Sequence, residues 1–434
     1  MTERSRNDID EFFSTARTAG RDAAVELPEG DYRRFLYDLD DPVLAPYRGM
    51  TYEEFTADRQ RNPFLRELLD YWDGLLAEPF AGLTTDGHVI PGLYPLDPGG
   101  RNDPELVATA RRALALLDAD RRESVVRPLD DVERRAWSNP EFVFHRVGVR
   151  LEDLPASHSD ALLGIVRASL SAAGWARVAE AMELNGFLGE LTGLPTIMNH
   201  GSFWFSVFGE PSADESWGWQ LFGHHVSVNF ATVAGRHVIA PLFLGGEPAL
   251  SDAHAPLFAT REARALELVA TLDDRRRASA VVYASVLDPR MPEGRLHPAD
   301  ERHVAGAFRD NRVVPYEGIA AAELDDAQWE LLRSIVEDCF LLLRDDQRRL
   351  TMAAVDAHRA QTHFAWYGAT DGSTPFYFRI HSPVVITELD HHAGVWLNNR
   401  LPARFHVHTT LRLPNGNDYA NAYLAQRPAR SDEN

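Results

Sequence analysis

Cysteine is almost missing from this chain of 434 residues: Cys339 stands alone, which excludes an intrachain disulfide and a cysteine-based metal cage. It falls on the apolar stripe of ELLRSIVEDCFLLL with Leu332, Ile335, Val336 and Leu343, so it reads as core and not as a nucleophile. Positive charge is also scarce. Forty-four Lys and Arg face 65 Asp and Glu, a formal charge of -21, and such a surface repels nucleic acid and anionic membranes. No uninterrupted apolar run of about 18 residues occurs, and MTERSRNDIDEFF lacks the apolar segment of a signal peptide, so a soluble cytoplasmic protein is expected. Repeats and low-complexity tracts are missing. There is no G-x-S-x-G elbow, and the glycine pair in GGEP (245–248) reads as a turn, because no Lys-Ser or Lys-Thr follows to complete a phosphate loop.

What is present is globular: 44% hydrophobic and 10% aromatic residues can fill a large core. Residues 1–80 are charged and aromatic, with helical patterns such as FLRELLDYWDGLL, and read as an N-terminal helical extension packed on the core. The Gly-, Pro- and Asp-rich stretch 81–103 marks the boundary to a main domain over 81–425, and 426–434 read as a disordered tail. Helical periodicity fills the first half of that domain, in PELVATARRALALLDADRRESVV, SDALLGIVRASLSAAG and WARVAEAMELNGFLGELTG. Strand patterns follow in SFWFSVFG, WQLFGHHVSVNFATVAG and RHVIAPLFLG, with a hairpin turn at Ala234-Gly235. Helices return at 261–272 and in ELDDAQWELLRSIVEDCFLLL, where Asp325 and Gln328 have capping-box spacing. FAWYGA, PFYFRIHSPVVITEL, GVWLNN and RFHVHTTLRL then read as strands. The fold class expected is α+β, with a helical first half and a mixed, largely antiparallel sheet completed by C-terminal strands.

The chemistry concentrates in histidine. In FHVHTTLRLP, residues two apart share a face, so His406, His408, Thr410 and Arg412 point one way and Phe405, Val407, Thr409 and Leu411 the other. An isolated H-x-H is more readily two polar residues on a wet face. Here VVITEL carries one acid, Glu388, where an unpaired carboxylate would be costly to bury, and two imidazoles with a carboxylate make a metal site. In the strand-like run WGWQLFGHHVSVNF, alternation separates His224, on the side of Phe222, Val226 and Val228, from His225, on the side of Ser227 and Asn229. Either can be the ligand, with the other behind it. Arg379 alternates with Tyr377 and His381, and Arg412 is in register with His408. Such arginines clamp a carboxylate or phosphate, or else pair with acids of the protein. Trp204, Trp217, Trp219, Trp366, Tyr367 and Tyr377 suit an organic ligand of moderate size. Asp390, His391 and His392 precede Ala393-Gly394 and read as a hairpin tip, His358 and His363 share no face, and His200 lies near the aromatic strand.

Four segments together carry a resemblance: LDADRRESVVRPLDDVERRAWSNP; FGEPSADESWGWQLFGHHVSVNF with PLFLGGEP; FAWYGATDGSTPFYFRIHSPVVITEL; and FHVHTTLRLPNGNDYA. Over roughly residues 80–422 the chain resembles the bacterial domain-of-unknown-function family 3500. The resemblance implies a shared scaffold and polar site at Gly223, His224, His225, Arg379, Glu388, His406, His408, Arg412, Asp418 and Tyr419, and no activity. Two departures stand out. His381-Ser382-Pro383 replaces a glycine-proline pair, adding an imidazole as a further ligand, and Ala420 stands where glycine is expected.

Three functions fit these residues. The first is a mononuclear non-haem iron oxidoreductase, with Fe(II) on His and Glu ligands drawn from His224, His225, His381, Glu388, His406 and His408. The second is a zinc-dependent hydrolase or lyase, with Glu388 or Asp418 as general base. The third is a binding protein that holds a small anionic molecule without turning it over. Tyr419 joins the catalytic set through the resemblance, and Arg379, Arg412, Tyr377 and Trp219 form the substrate set. Iron is preferred because an aromatic, water-excluding surround suits reactive oxygen chemistry. The partner expected is a small anionic substrate, with neither nucleic acid nor membrane, and homo-oligomerisation is left open.

Overall fold

Runs of β-branched and aromatic residues build the centre of the molecule, where they fit a pleated, buried surface. The computed structural model describes residues 31–427 except Leu39, Pro98 and Pro298, so the N-terminal segment up to residue 30 and the tail from 428 lie outside the described residues. Thirteen strands form one sheet. They are β1 (Val126–Arg127), β2 (Val149–Arg150), β3 (Phe203–Phe208), β4 (Trp217–Gly223), β5 (Val226–Val233), β6 (Arg236–Val238), β7 (Leu242–Gly246) and β8 (Val281–Tyr283). The second group is β9 (Ile319–Ala320), β10 (His363–Tyr367), β11 (Tyr377–His381), β12 (Ile386–His391) and β13 (Val407–Arg412). The order along the sheet is β1-β3-β4-β5-β7-β13-β12-β11-β10-β8. Only β1 with β3 and β8 with β10 run parallel. The fold is therefore α+β with a mixed, mostly antiparallel sheet, and the C-terminal β13 completes it by lying between β7 and β12.

The two faces differ in chemistry. Val407, Thr409 and Leu411 of β13 pair with His391, Leu389 and Thr387 of β12, and Thr409 and Leu411 pair with Leu244 and Leu242 of β7. The aliphatic members of these rows join one core with the helices Ala156–Ser169, Ala172–Thr192, Ala259–Thr271 and Asp326–Cys339. Cys339 lies in this core, its Sγ 3.1 Å from Thr387 Oγ1, and burial raises its thiol pKa. The last of those helices starts with the expected capping box between Asp325 and Gln328. The opposite face carries Phe243, His408, Thr410, Arg412, Glu388, Asp390, Tyr377 and Arg379 in adjoining register positions. It is covered by the irregular segment 284–318 and by aromatics from earlier in the chain. Tyr52, Trp72, Trp137, Trp204, Phe222, Phe243, Phe308 and Tyr419 form one cluster there.

Three local readings change. His224 and His225 are not strand residues: β4 ends at Gly223, β5 starts at Val226, and Gly223 pairs with Val226. The two histidines are the tip of a tight hairpin, with His225 at φ 63°. GVWLNN forms no strand. The N–H groups of Val395, Trp396 and Leu397 all donate to one oxygen of Glu247, at 2.7, 2.9 and 2.9 Å, so a carboxylate replaces the ladder. Asp390, His391 and His392 form no hairpin tip: Asp390 and His391 belong to β12, and His392 is buried against Glu301 and Asp390. The Ala234-Gly235 turn stands as expected, between Val233 and Arg236. Among the described residues, no helix is long and apolar enough to cross a membrane.

Candidate metal centre

Three imidazoles converge at the β4–β5 hairpin and β13. His408 Nε2 lies 3.1 Å from His225 Nε2 and 3.0 Å from His406 Nε2, and all three residues are buried. The hairpin explains how adjacent histidines can both be present: alternation does not govern a turn, and the rings of His224 and His225 stack at 3.8 Å. His406 stands just before β13, where its Nδ1 donates to Ala393 O at 2.7 Å and leaves Nε2 as the lone-pair atom. Burial, and after it the neighbouring imidazoles, hold the pKa of His225, His406 and His408 well below the ordinary histidine value. They are neutral, the form that ligates metal. Ligands about 2.0–2.1 Å from a tetrahedral ion stand roughly 3.3 Å apart, close to the spacing seen.

Close packing makes the cradle. Gly245 of β7 pairs with His408, and a Cβ there would meet His408 Cδ2 at 2.8 Å and His225 Cδ2 at 3.0 Å. Asn139 accepts from the His225 backbone N–H at 2.9 Å. His224 Nδ1 is bonded at 2.9 Å to Asn185 Oδ1, and the Asn185 amide donates to Asn199 O and Ser202 Oγ, so His224 supports the hairpin from the helix side.

Glu388 lies outside the three-histidine cluster. It is fully buried and already satisfied: Oε1 accepts from Val304 N–H at 2.8 Å and Tyr377 O–H at 2.7 Å, Oε2 from Ala305 N–H and Thr410 O–H at 3.0 Å each. His303 Nδ1 is 3.5 Å from Oε2. Burial works to raise the Glu388 pKa, but His303, Tyr377 and the Val304 N–H outweigh it and hold the group well below the usual carboxylate range. For His303 burial works to lower the pKa, and the hydrogen bonding and charge of Glu388 raise it overall.

Other expected site residues are engaged elsewhere. Arg412 is fully buried and holds Asp418 at 2.8 Å, Asp310 at 2.5 Å and the carbonyls of Ala305 and Gly306, so it pins the covering segment. Asp418 also accepts from Leu413 N–H, and burial pushes its pKa up to about 6. Tyr419 accepts from Trp137 Nε1 at 2.9 Å and donates to Asp310 at 3.2 Å. Arg379 pairs with Glu317 at 3.0 Å. His381 packs its ring against Tyr316 at 4.6 Å, and burial lowers its pKa to about 3. Trp219 belongs to the helix side, bonded to Ser169 and stacked on Phe230. Tyr377 is committed to Glu388, outside the three-histidine cluster. Trp217 and Trp366 lie in the helix-side core, and His200 is exposed.

The segment 299–310 was silent in the sequence, yet it supplies Asp300, Glu301, Arg302 and His303. Arg302 bonds Asp390 at 2.6 Å and Glu301 at 2.5 Å, and His392 lies between the two acids. A small cleft with room for about one water molecule reaches the centre. Trp72, Trp137, Asn139, Phe243, Asp300 and His303 line it, and His408 is in its wall. Fold and site together define an α+β protein with a candidate three-histidine metal centre beneath an aromatic cleft. Residues 100–421 match the family described as a protein of unknown function (DUF3500), and the chain belongs to that family. No curated protein and no solved structure matches it.

Proposed function

We propose that the chain is a metal-dependent enzyme whose ion is held by Nε2 of His225, His406 and His408 and meets its substrate in the cleft beside His408. The convergence of those three neutral nitrogens within 3.0 and 3.1 Å of His408 carries the reading.

A divalent ion so held supplies Lewis-acid chemistry and lowers the pKa of water. Three imidazoles without a carboxylate are a donor set of water-activating zinc centres, so hydrolytic or lyase chemistry with zinc is our preferred reading. The iron reading leaned on a two-histidine, one-carboxylate set, and Glu388 has both oxygens committed. Oxidative chemistry stays as the second reading because Trp72, Trp137 and Phe243 wall the cleft against water. The lining includes no arginine or lysine and carries the Asp300 carboxylate, so we assign the cleft to a small uncharged molecule in place of an anion.

Elemental analysis of protein purified without chelator tests this. One equivalent of zinc is expected, lost in each of His225→Ala, His406→Ala and His408→Ala, while iron in its place would favour the oxidative reading. Native-like folding of the three variants with metal still bound would sink the proposal.

A further inference from the structure

We propose that His303 is the acid–base residue of this site, with Nε2 as the atom that exchanges a proton with a molecule bound in the cleft, and that Glu388 positions it. This rests on the three-histidine reading.

His303 is held from one side only. Nδ1 faces Glu388 Oε2, and Thr410 Oγ1 is also 3.5 Å away. Nε2 is buried and has no hydrogen-bond partner among the described residues, yet the ring lines the cleft together with His408. A buried ring nitrogen without a partner is costly and calls for an occupant. The two rings stand 6.4 Å apart between centroids, so a molecule at the three imidazoles is within reach of Nε2. Glu388 is unsuited to accept the proton itself, since five donors already surround it. It suits the orienting task, because a carboxylate at Nδ1 keeps the proton there and leaves the lone pair on Nε2. In the step, an O–H or N–H bond of the bound molecule breaks, an N–H bond forms at Nε2, and the resulting imidazolium charge is met by the Glu388 carboxylate. The same proton can return to a leaving group.

A rival role is open to the same ring. The ligand atoms of His303, His392 and His408 lie within 4.8 Å of one another, so His303 could bind a metal itself. Zinc affinity decides between them. His303→Gln should bind zinc within about twofold of the native protein in a chelator competition, and a loss beyond about tenfold, ~1.4 kcal/mol, would make His303 a ligand and overturn the proposal. Nitrogen NMR of zinc-loaded, histidine-labelled native protein reads the orientation, with the His303 signals assigned by their disappearance in His303→Gln. At a pH high enough that the His303 signals no longer move with pH, the ring is neutral and the proton should sit on Nδ1 with Nε2 bare. A proton on Nε2 with Nδ1 bare would refute the positioning by Glu388. In Glu388→Gln the preference for Nδ1–H should weaken with zinc affinity kept, and an unchanged tautomer would deny Glu388 its part. Loss of the metal-centre reading would show separately, as zinc retained in His406→Ala.

Discussion

Gly245 shows how much a single missing side chain can decide. Its β carbon position lies 2.9 Å from Val407 O as well as against His408 and His225, so even a methyl group must displace an imidazole or open the β7–β13 pair. Its φ is not among the positive ones, so alanine meets no backbone objection and the effect is one of space alone. Gly245→Ala should therefore weaken zinc binding by at least about tenfold while costing roughly 1–3 kcal/mol of stability, read by chelator competition and by denaturant titration. Unchanged zinc affinity would show that the cradle is not as tight as the distances say. None of this was legible in GGEP, which reads as a turn; the glycine acquires its role only once β7 is known to lie beside β13. His406 and His408 were legible because H-x-H carries its own geometry. Glu388 was legible as a costly buried acid, but its partners Val304, Ala305 and His303 come from a segment without periodic pattern.

Among elements, the irregular segment 284–318 does what a helix layer does on the other side of the sheet, and buried charge adds to its apolar packing through Val304, Ala307 and Phe308 as a fastening. Arg412 reaches up from β13 to Asp310 and to two carbonyls, and Arg135 holds the other oxygen of Asp310 at 2.6 Å. Breaking such a buried pair leaves uncompensated charge, so Arg412→Met should cost about 3–5 kcal/mol in urea unfolding. Arg412→Lys should recover only part of it, because an ammonium cannot serve Asp310, Asp418 and both carbonyls at once. A loss under about 1 kcal/mol for Arg412→Met would mean the segment is held by its apolar contacts. The alternation in RFHVHTTLRL gave the right face for Arg412. It could not say whether a ligand or the protein's own acids would meet the guanidinium, since that depends on which loop folds over the sheet. Alternation misled at Gly-His-His for a related reason: a hairpin tip and a strand centre look alike when both flanks are apolar, and only the pairing of Gly223 with Val226 separates them.

For the molecule as a whole, the buried imidazoles set the response to acid. Burial lowers the pKa of His224 and His381 to about 3 and of His237 to about 4, and holds those of His225, His406 and His408 well below 6.5. A depressed folded pKa means that the unfolded chain binds the proton first as pH falls below about 6.5, so the stability these six contribute is present above that value and lost beneath it. Glu247, raised by burial to about 7, and Asp418, raised to about 6, act in the opposite sense, since their folded forms keep protons that the unfolded chain releases. Glu141 and His303, both raised, side with them. The lowered Glu388 and Asp390 add to the histidine side, because their stabilisation also fades as acid protonates them in the unfolded state. The depressed groups outnumber the raised ones, so metal-free protein should melt at progressively lower temperature as pH falls from about 6.5 toward 4. Zinc-loaded protein should show the steeper fall, as protons displace the ion from the three imidazoles. Calorimetry of both forms across that range measures the difference. Parallel curves for the two would mean that the ion is bound by groups other than the buried histidines.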